Sequence, residues 1–158
     1  MFHDKQSNIK IGTIGEDLAC EYLKNNGYKI IKRNFRRPYG EIDIITTKGS
    51  GLVFFEIKTL KMRQNNTANN DNDAADGGLV PEDNLTSAKL IKLKKICEMF
   101  AVKHPELFSE DDGWQIDLLA IYYPEDSKII LPENIPAGYE LLTIKGKRCL
   151  IKHYENIG

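Results

Sequence analysis

The chain has 158 residues, 41% of them hydrophobic and 28% charged, which suits one domain with a proper hydrophobic core. Its formal net charge is −1, so bulk charge does not mark a nucleic-acid binder, and any affinity for phosphates has to come from local basic patches. No apolar run approaches the roughly 20 residues of a membrane span, and the start MFHDKQSNIK lacks the apolar core of a signal peptide. The expectation is a cytoplasmic protein with no membrane association. Cys20, Cys97 and Cys149 are far apart and form no metal-binding spacing, so they read as reduced core thiols.

Ile11 to Asn26 reads as a helix ended by Gly27. Ile11, Ile14, Leu18, Ala19, Tyr22 and Leu23 form its apolar arc, and Asp17, Glu21 and Lys24 its wet side. Glu16 falls at the edge of the apolar arc; a first-turn glutamate favoured by the helix dipole is one reading, and a functional carboxylate is the other. Tyr28 to Phe35 reads as a strand, leading through Arg36, Arg37, Pro38 and Tyr39 into a hairpin. Arg33, Arg36 and Arg37 are either a solvated basic cluster or a set of phosphate contacts.

The hairpin Gly40 to Thr59 is the most informative stretch. Two alternating strands flank Lys48-Gly49-Ser50-Gly51. If Thr47 pairs with Leu52, opposite partners sum to ninety-nine, so Asp43 faces Glu56 and Glu41 faces Lys58. Opposed side chains have Cβ atoms about 4.5–5.5 Å apart, where two carboxylates repel. A divalent cation with oxygen ligands would turn that repulsion into a binding site.

The segment 61–84 is rich in Asn, Asp and Gly and reads as a flexible or disordered insert, a mobile flap that would order on substrate. Leu85 to Lys103 reads as the second helix, with Thr86 or Ser87 as N-cap and Leu90, Leu93, Ile96, Cys97 and Phe100 as its buried stripe. Lys92 and Lys95 are expected in solvent, whereas Lys89 lies near the apolar arc and could reach toward the hairpin. Trp114 to Tyr123 reads as a buried central strand, in which Asp117 is expected to pair with a nearby base or with backbone. Pro124 to Pro136 reads as a surface connection, and Tyr139 to Tyr154 as a final hairpin. Local hairpins and one helical crossover predict an α/β protein with a mixed sheet flanked by helices.

Asp43, twelve intervening residues and then Glu56-Ile57-Lys58 resemble the acidic residue and E-x-K of the restriction-endonuclease-like superfamily. The stretches GEDLACEYLKNNGY, IIKRNFRRPYGEIDII, LVFFEIKT, WQIDLLAI and IKHYENIG resemble the bacterial YraN family of predicted endonucleases. That family is similar to archaeal Holliday-junction resolvases, which carry a glutamate at the spacing of Glu16 before Gly27-Tyr28. The resemblance implies an αβββαβ core with a C-terminal strand or hairpin, over a single domain.

It further implies a nuclease acting on DNA, either branched or double-stranded, with Mg2+ or Mn2+ as cofactor. Asp43, Glu56 and the Ile57 carbonyl would hold the metal, Lys58 would orient water or stabilise the phosphate, and Glu16 would complete the outer sphere or hold a second ion. Glu41 would steady Lys58, and Arg33, Arg36, Arg37, Lys61 and Lys89 would contact DNA. A homodimer would suit cleavage of two strands of a junction. The alternatives are a nucleic-acid-binding module of the same fold that does not cleave, and a structural partner protein in DNA processing.

Overall fold

A computed structural model describes residues 3–62, 85–124, 135, 137–144 and 146–158. The insert expected over 61–84 lies, beyond Met62, outside the described residues, as does most of the proline-rich connection.

Helix α1 (His3–Asn25) begins well before the apolar arc, because residues 3–10 contain neither proline nor glycine to stop it. Its end is fixed by backbone geometry. Gly27 takes φ 82°, Gly27 N–H donates to the Lys24 carbonyl at 3.1 Å, and Tyr28 N–H donates to the Leu23 carbonyl at 2.9 Å. This is the Schellman pairing, which requires a left-handed residue that glycine adopts without steric cost.

Strands β1 (Lys29–Arg37), β2 (Gly40–Lys48) and β3 (Gly51–Met62) then form an antiparallel meander. Helix α2 (Ser87–Lys103) crosses over to β4 (Trp114–Pro124), which lies parallel to β3. Strands β5 (Tyr139–Ile144) and β6 (Lys147–Tyr154) form the closing hairpin, giving the order β1-β2-β3-β4-β6-β5. The αβββαβ order, mixed sheet and terminal hairpin agree with the sequence reading. No helix among the described residues is long and apolar enough to cross a membrane.

The two helices cover opposite faces of the sheet. Leu18, Leu23, Tyr28, Phe55, Leu119 and Ile121 pack on the α1 side, and Phe54, Leu93, Ile96, Phe100 and Ile116 on the α2 side. Buried from both sides, Leu52 to Phe55 and Leu118 to Ile121 read as unbroken apolar runs rather than alternating ones. Thr86 caps α2 by accepting from the Lys89 N–H at 3.3 Å. Cys20, Cys97 and Cys149 are free and buried, and burial raises each thiol pKa, Cys149 to about 11. Thiols held protonated in this way are poor nucleophiles.

Asp117 is fully buried and its two oxygens are spoken for. Oδ1 accepts from Gln115 Nε2 at 2.8 Å and Asn156 N–H at 2.9 Å, and Oδ2 meets His153 Nε2 at 2.8 Å. The carboxylate therefore ties β4 to β6 and to the C-terminal residues. Asp117→Ala takes the acceptor from these donors, two of them half-buried, so a stability loss of about 1–3 kcal/mol is expected. The check is a urea melt whose midpoint falls while its slope is unchanged.

Candidate functional site

The β2–β3 ladder has the register read from the sequence, with Thr47 opposite Leu52 and Ile44 opposite Phe55. The described pairing then stops. Beyond this point β2 stays with β1 as far as Gly40 opposite Arg37, while β3 stays with β4 as far as Met62 opposite Pro124. The two central strands follow different neighbours and part, leaving a notch.

Asp43 and Glu56, next in register, flank that notch. Instead of a ladder bond, Ile57 N–H donates to Asp43 Oδ2 at 2.8 Å. Glu56 is buried, and Lys89, reaching from the first turn of α2, forms an ion pair with it. Burial is the main force raising the Asp43 pKa to about 7; the Glu56 charge adds to it, Glu16 and Glu41 add less, and the Ile57 N–H opposes. Asp43 and Glu56 thus share a confined space in which two negative charges are unfavourable together.

Lys58 follows two residues after Glu56, on the same face of β3, and is half-buried. It forms no ion pair among the described residues. Ile57 contributes its N–H to Asp43 and packs its side chain on the α1 side. Among the described residues there is no group of three or more His, Cys, Asp or Glu arranged to hold a metal ion. The carboxylate pair with its neighbouring carbonyl is what the notch offers. That set is all oxygen, which suits a magnesium ion that keeps most of its waters.

Glu16 approaches from α1 but its carboxylate is held. Oε2 accepts from Asn34 Nδ2 at 2.8 Å and from Arg33 Nη2 at 3.4 Å. Asn34 went unread at the sequence level, where it looked like an ordinary strand residue. Its φ of 51° is left-handed, a region asparagine tolerates better than most, and that is the signal it carries. Gly15, beside Glu16, lets α1 lie directly on β3: a Cβ there would fall 1.8 Å from Thr59 Oγ1. Gly15→Ala is expected to cost about 1–3 kcal/mol by overpacking, against the roughly 1 kcal/mol that alanine's helix propensity returns. Adding Thr59→Ala should recover part of the loss in thermal melts, marking the two sites as coupled.

Two expectations need correction. Glu41 does not steady Lys58; it pairs with Arg36 Nε at 3.1 Å, its neighbour across the β1–β2 ladder, because the β2–β3 ladder has ended by then. Arg33 is not a free phosphate contact, since it is bound to Asp17 Oδ1 at 2.9 Å and to Glu16. Lys89 reaches toward the hairpin, as its place near the apolar arc suggested, and pairs with Glu56. Arg36 is exposed beside Glu41, and Arg37 lies over the Phe35 ring at 4.3 Å from its centroid. Lys61 lies next to the end of β3, opposite Tyr123, and its side chain is outside the described residues.

A β-meander, a helical crossover to a parallel strand, and an acidic residue and E-x-K on adjacent strands define a restriction-endonuclease-like core. The chain belongs to the family described as Uncharacterised protein family UPF0102, the YraN family, whose profile matches residues 15–121. A UPF0102 protein of Campylobacter lari is 35% identical over 129 residues, covering 82% of this chain and 96% of the relative. A UPF0102 protein of Dictyoglomus turgidum is 31% identical, covering 84% of this chain and 99% of its own. One from Campylobacter jejuni subsp. doylei is 39% identical, with 70% and 81% covered.

Proposed function

We propose that this protein is a metal-dependent endonuclease that hydrolyses DNA phosphodiester bonds, with branched or damaged DNA as its substrate. The observation that supports the reading is the notch itself, where Asp43 and Glu56 crowd two carboxylates against Ile57 and Lys58 follows on the same face. A stable strand pair has no use for that arrangement; a cation site does.

Asp43, Glu56 and the Ile57 carbonyl are the residues that would hold Mg2+ or Mn2+. When bound, such an ion polarises a phosphoryl oxygen and lowers the pKa of its water. Lys58 contributes a mobile ammonium beside the reacting phosphate, where it orients water and offsets the charge that develops on the phosphoryl oxygens. Lys89 neutralises Glu56 in the metal-free protein and yields its place to the cation. Glu16, fastened by Asn34 and Arg33, acts from the outer sphere by adding negative potential at Asp43. Arg36 and Arg37, exposed at the end of β1, would contact phosphates, and two copies of the chain would serve the two strands of a junction.

A second reading also has an observation behind it. The Lys89–Glu56 ion pair leaves the notch already charge-compensated, as a non-cleaving nucleic-acid-binding module would need. Incubation with Mn2+ and linear, nicked, flapped and four-way DNA separates the two. Cleavage that disappears in Glu56→Ala supports the nuclease, and metal-independent binding without cleavage supports the module.

A further inference from the structure

A second feature lies on the α2 side, away from the notch. The end of β1, the Pro38-Tyr39 turn and the C-terminal end of α2 border a shallow pocket of about 40 Å³, open to solvent. Its walls include Phe35 and Phe100, in edge-to-face contact with centroids 5.2 Å apart. Tyr39 is 41% exposed there, on a tight turn between paired Arg37 and Gly40. Ile96, Met99, Arg37, Lys103 and His104 complete the lining, and the Glu106 carboxylate lies 3.1 Å from His104 Nδ1 beside it. The His104 ring lies 4.4 Å from that of Phe100 at 33°, so its face is fixed rather than free to swing.

Exposed aromatic faces cost solubility and are kept few on ordinary surfaces. An exposed Tyr39 ring beside Arg37 and Lys103 matches one ligand chemistry: a planar base carrying a phosphate. Intact duplex DNA hides its base faces in the stack, so only an unpaired or extruded nucleotide can use such a pocket. We infer that the Tyr39 pocket binds an unpaired nucleotide of the substrate by stacking, with Arg37 and Lys103 on its phosphates.

The inference rests on the nuclease reading for its place in the reaction, and the fold supplies the distance. Gly40, opposite Arg37, is three residues from Asp43, about 10 Å along β2. Lys89 on the notch and Lys103 at the pocket are fourteen residues apart, about 21 Å along α2. The pocket therefore lies roughly 10–20 Å from the notch, within a few nucleotides of the cut phosphate. The substrate class becomes DNA with an unpaired stretch beside the cleaved strand, rather than uninterrupted duplex.

The test uses fluorescence anisotropy of the full chain, without divalent metal, on a labelled oligothymidylate and on a blunt duplex of equal length. The wild type is expected to bind the oligothymidylate more tightly. Tyr39→Ala should weaken that binding about tenfold and leave the duplex unaffected, as loss of one base–aromatic stack does. Tyr39→Phe should restore it, and Lys103→Gln should flatten its salt dependence. Equal binding by wild type and Tyr39→Ala overturns the inference. So does Tyr39-dependent binding of a polyglutamate peptide in place of the oligonucleotide. A protein that cleaves DNA with Tyr39→Ala unchanged refutes the pocket and keeps the nuclease; Tyr39-dependent stacking in a protein that cleaves nothing does the reverse.

Discussion

Lys58→Ala is expected to lower Mn2+-dependent DNA cleavage by about 10²–10³-fold, the usual effect of removing one group that stabilises developing charge. DNA affinity should change little, because a single phosphate contact among several contributes a small share of binding. The protein should also fold normally, since Lys58 is half-buried and forms no ion pair among the described residues. Single-turnover cleavage, read beside anisotropy on the same substrate, separates the two quantities. A parallel fall in binding and rate would mean that Lys58 holds DNA and does not act on the phosphate. Lys58→Arg is expected to rescue poorly, because a planar guanidinium does not replace a compact ammonium at a reacting centre.

The second large effect is on stability. Asp43 keeps its proton to about pH 7 in the folded chain, against an ordinary value of 3.8. Between these values the folded state binds a proton that the unfolded state has lost, so stability falls as pH rises from about 4 to about 7 and then levels. The displacement corresponds to about 4 kcal/mol at the most. Asp43→Asn removes that ionisation while leaving an amide oxygen to accept from Ile57 N–H. It is expected to flatten the limb and to make the metal-free protein about 2–4 kcal/mol more stable at pH 8. Mg2+ should do the opposite job in the wild type. Stabilisation by the ion should be larger at pH 8 than at pH 5, and absent in the variant. Urea melts at both pH values, with and without Mg2+, give all of these numbers. A wild-type curve that is level from pH 4 to pH 8 would show that Asp43 and Glu56 are not crowded.

Much of this site was legible in the sequence because it rests on local pattern. The alternation around Lys48-Gly49-Ser50-Gly51 set the hairpin register, and Ile44 does lie opposite Phe55. The stripe Leu90, Leu93, Ile96, Cys97 and Phe100 was enough to say which face of α2 is buried, although Leu90 itself is only half-buried. What escaped depends on competition between distant elements. Extending the register to Glu41 and Lys58 assumed that β2 and β3 remain partners, but β4 holds β3 and β1 holds β2. Glu41 therefore finds Arg36. Glu16 was placed correctly at the edge of the apolar arc of α1, yet its partners Arg33 and Asn34 come from β1, and the left-handed backbone at Asn34 leaves only a weak mark on sequence. The Tyr39 pocket was invisible, because α2 must cross the sheet before Lys103 and His104 can face the β1–β2 turn.

The most direct test of the central claim is calorimetric titration of the metal-free protein with Mn2+, beside Glu56→Ala, at pH 8. One saturable site per chain in the wild type, lost in Glu56→Ala while the variant still melts cooperatively, is the result expected of a cation site between β2 and β3. Binding that is equal in both proteins, or absent from the wild type, would contradict it.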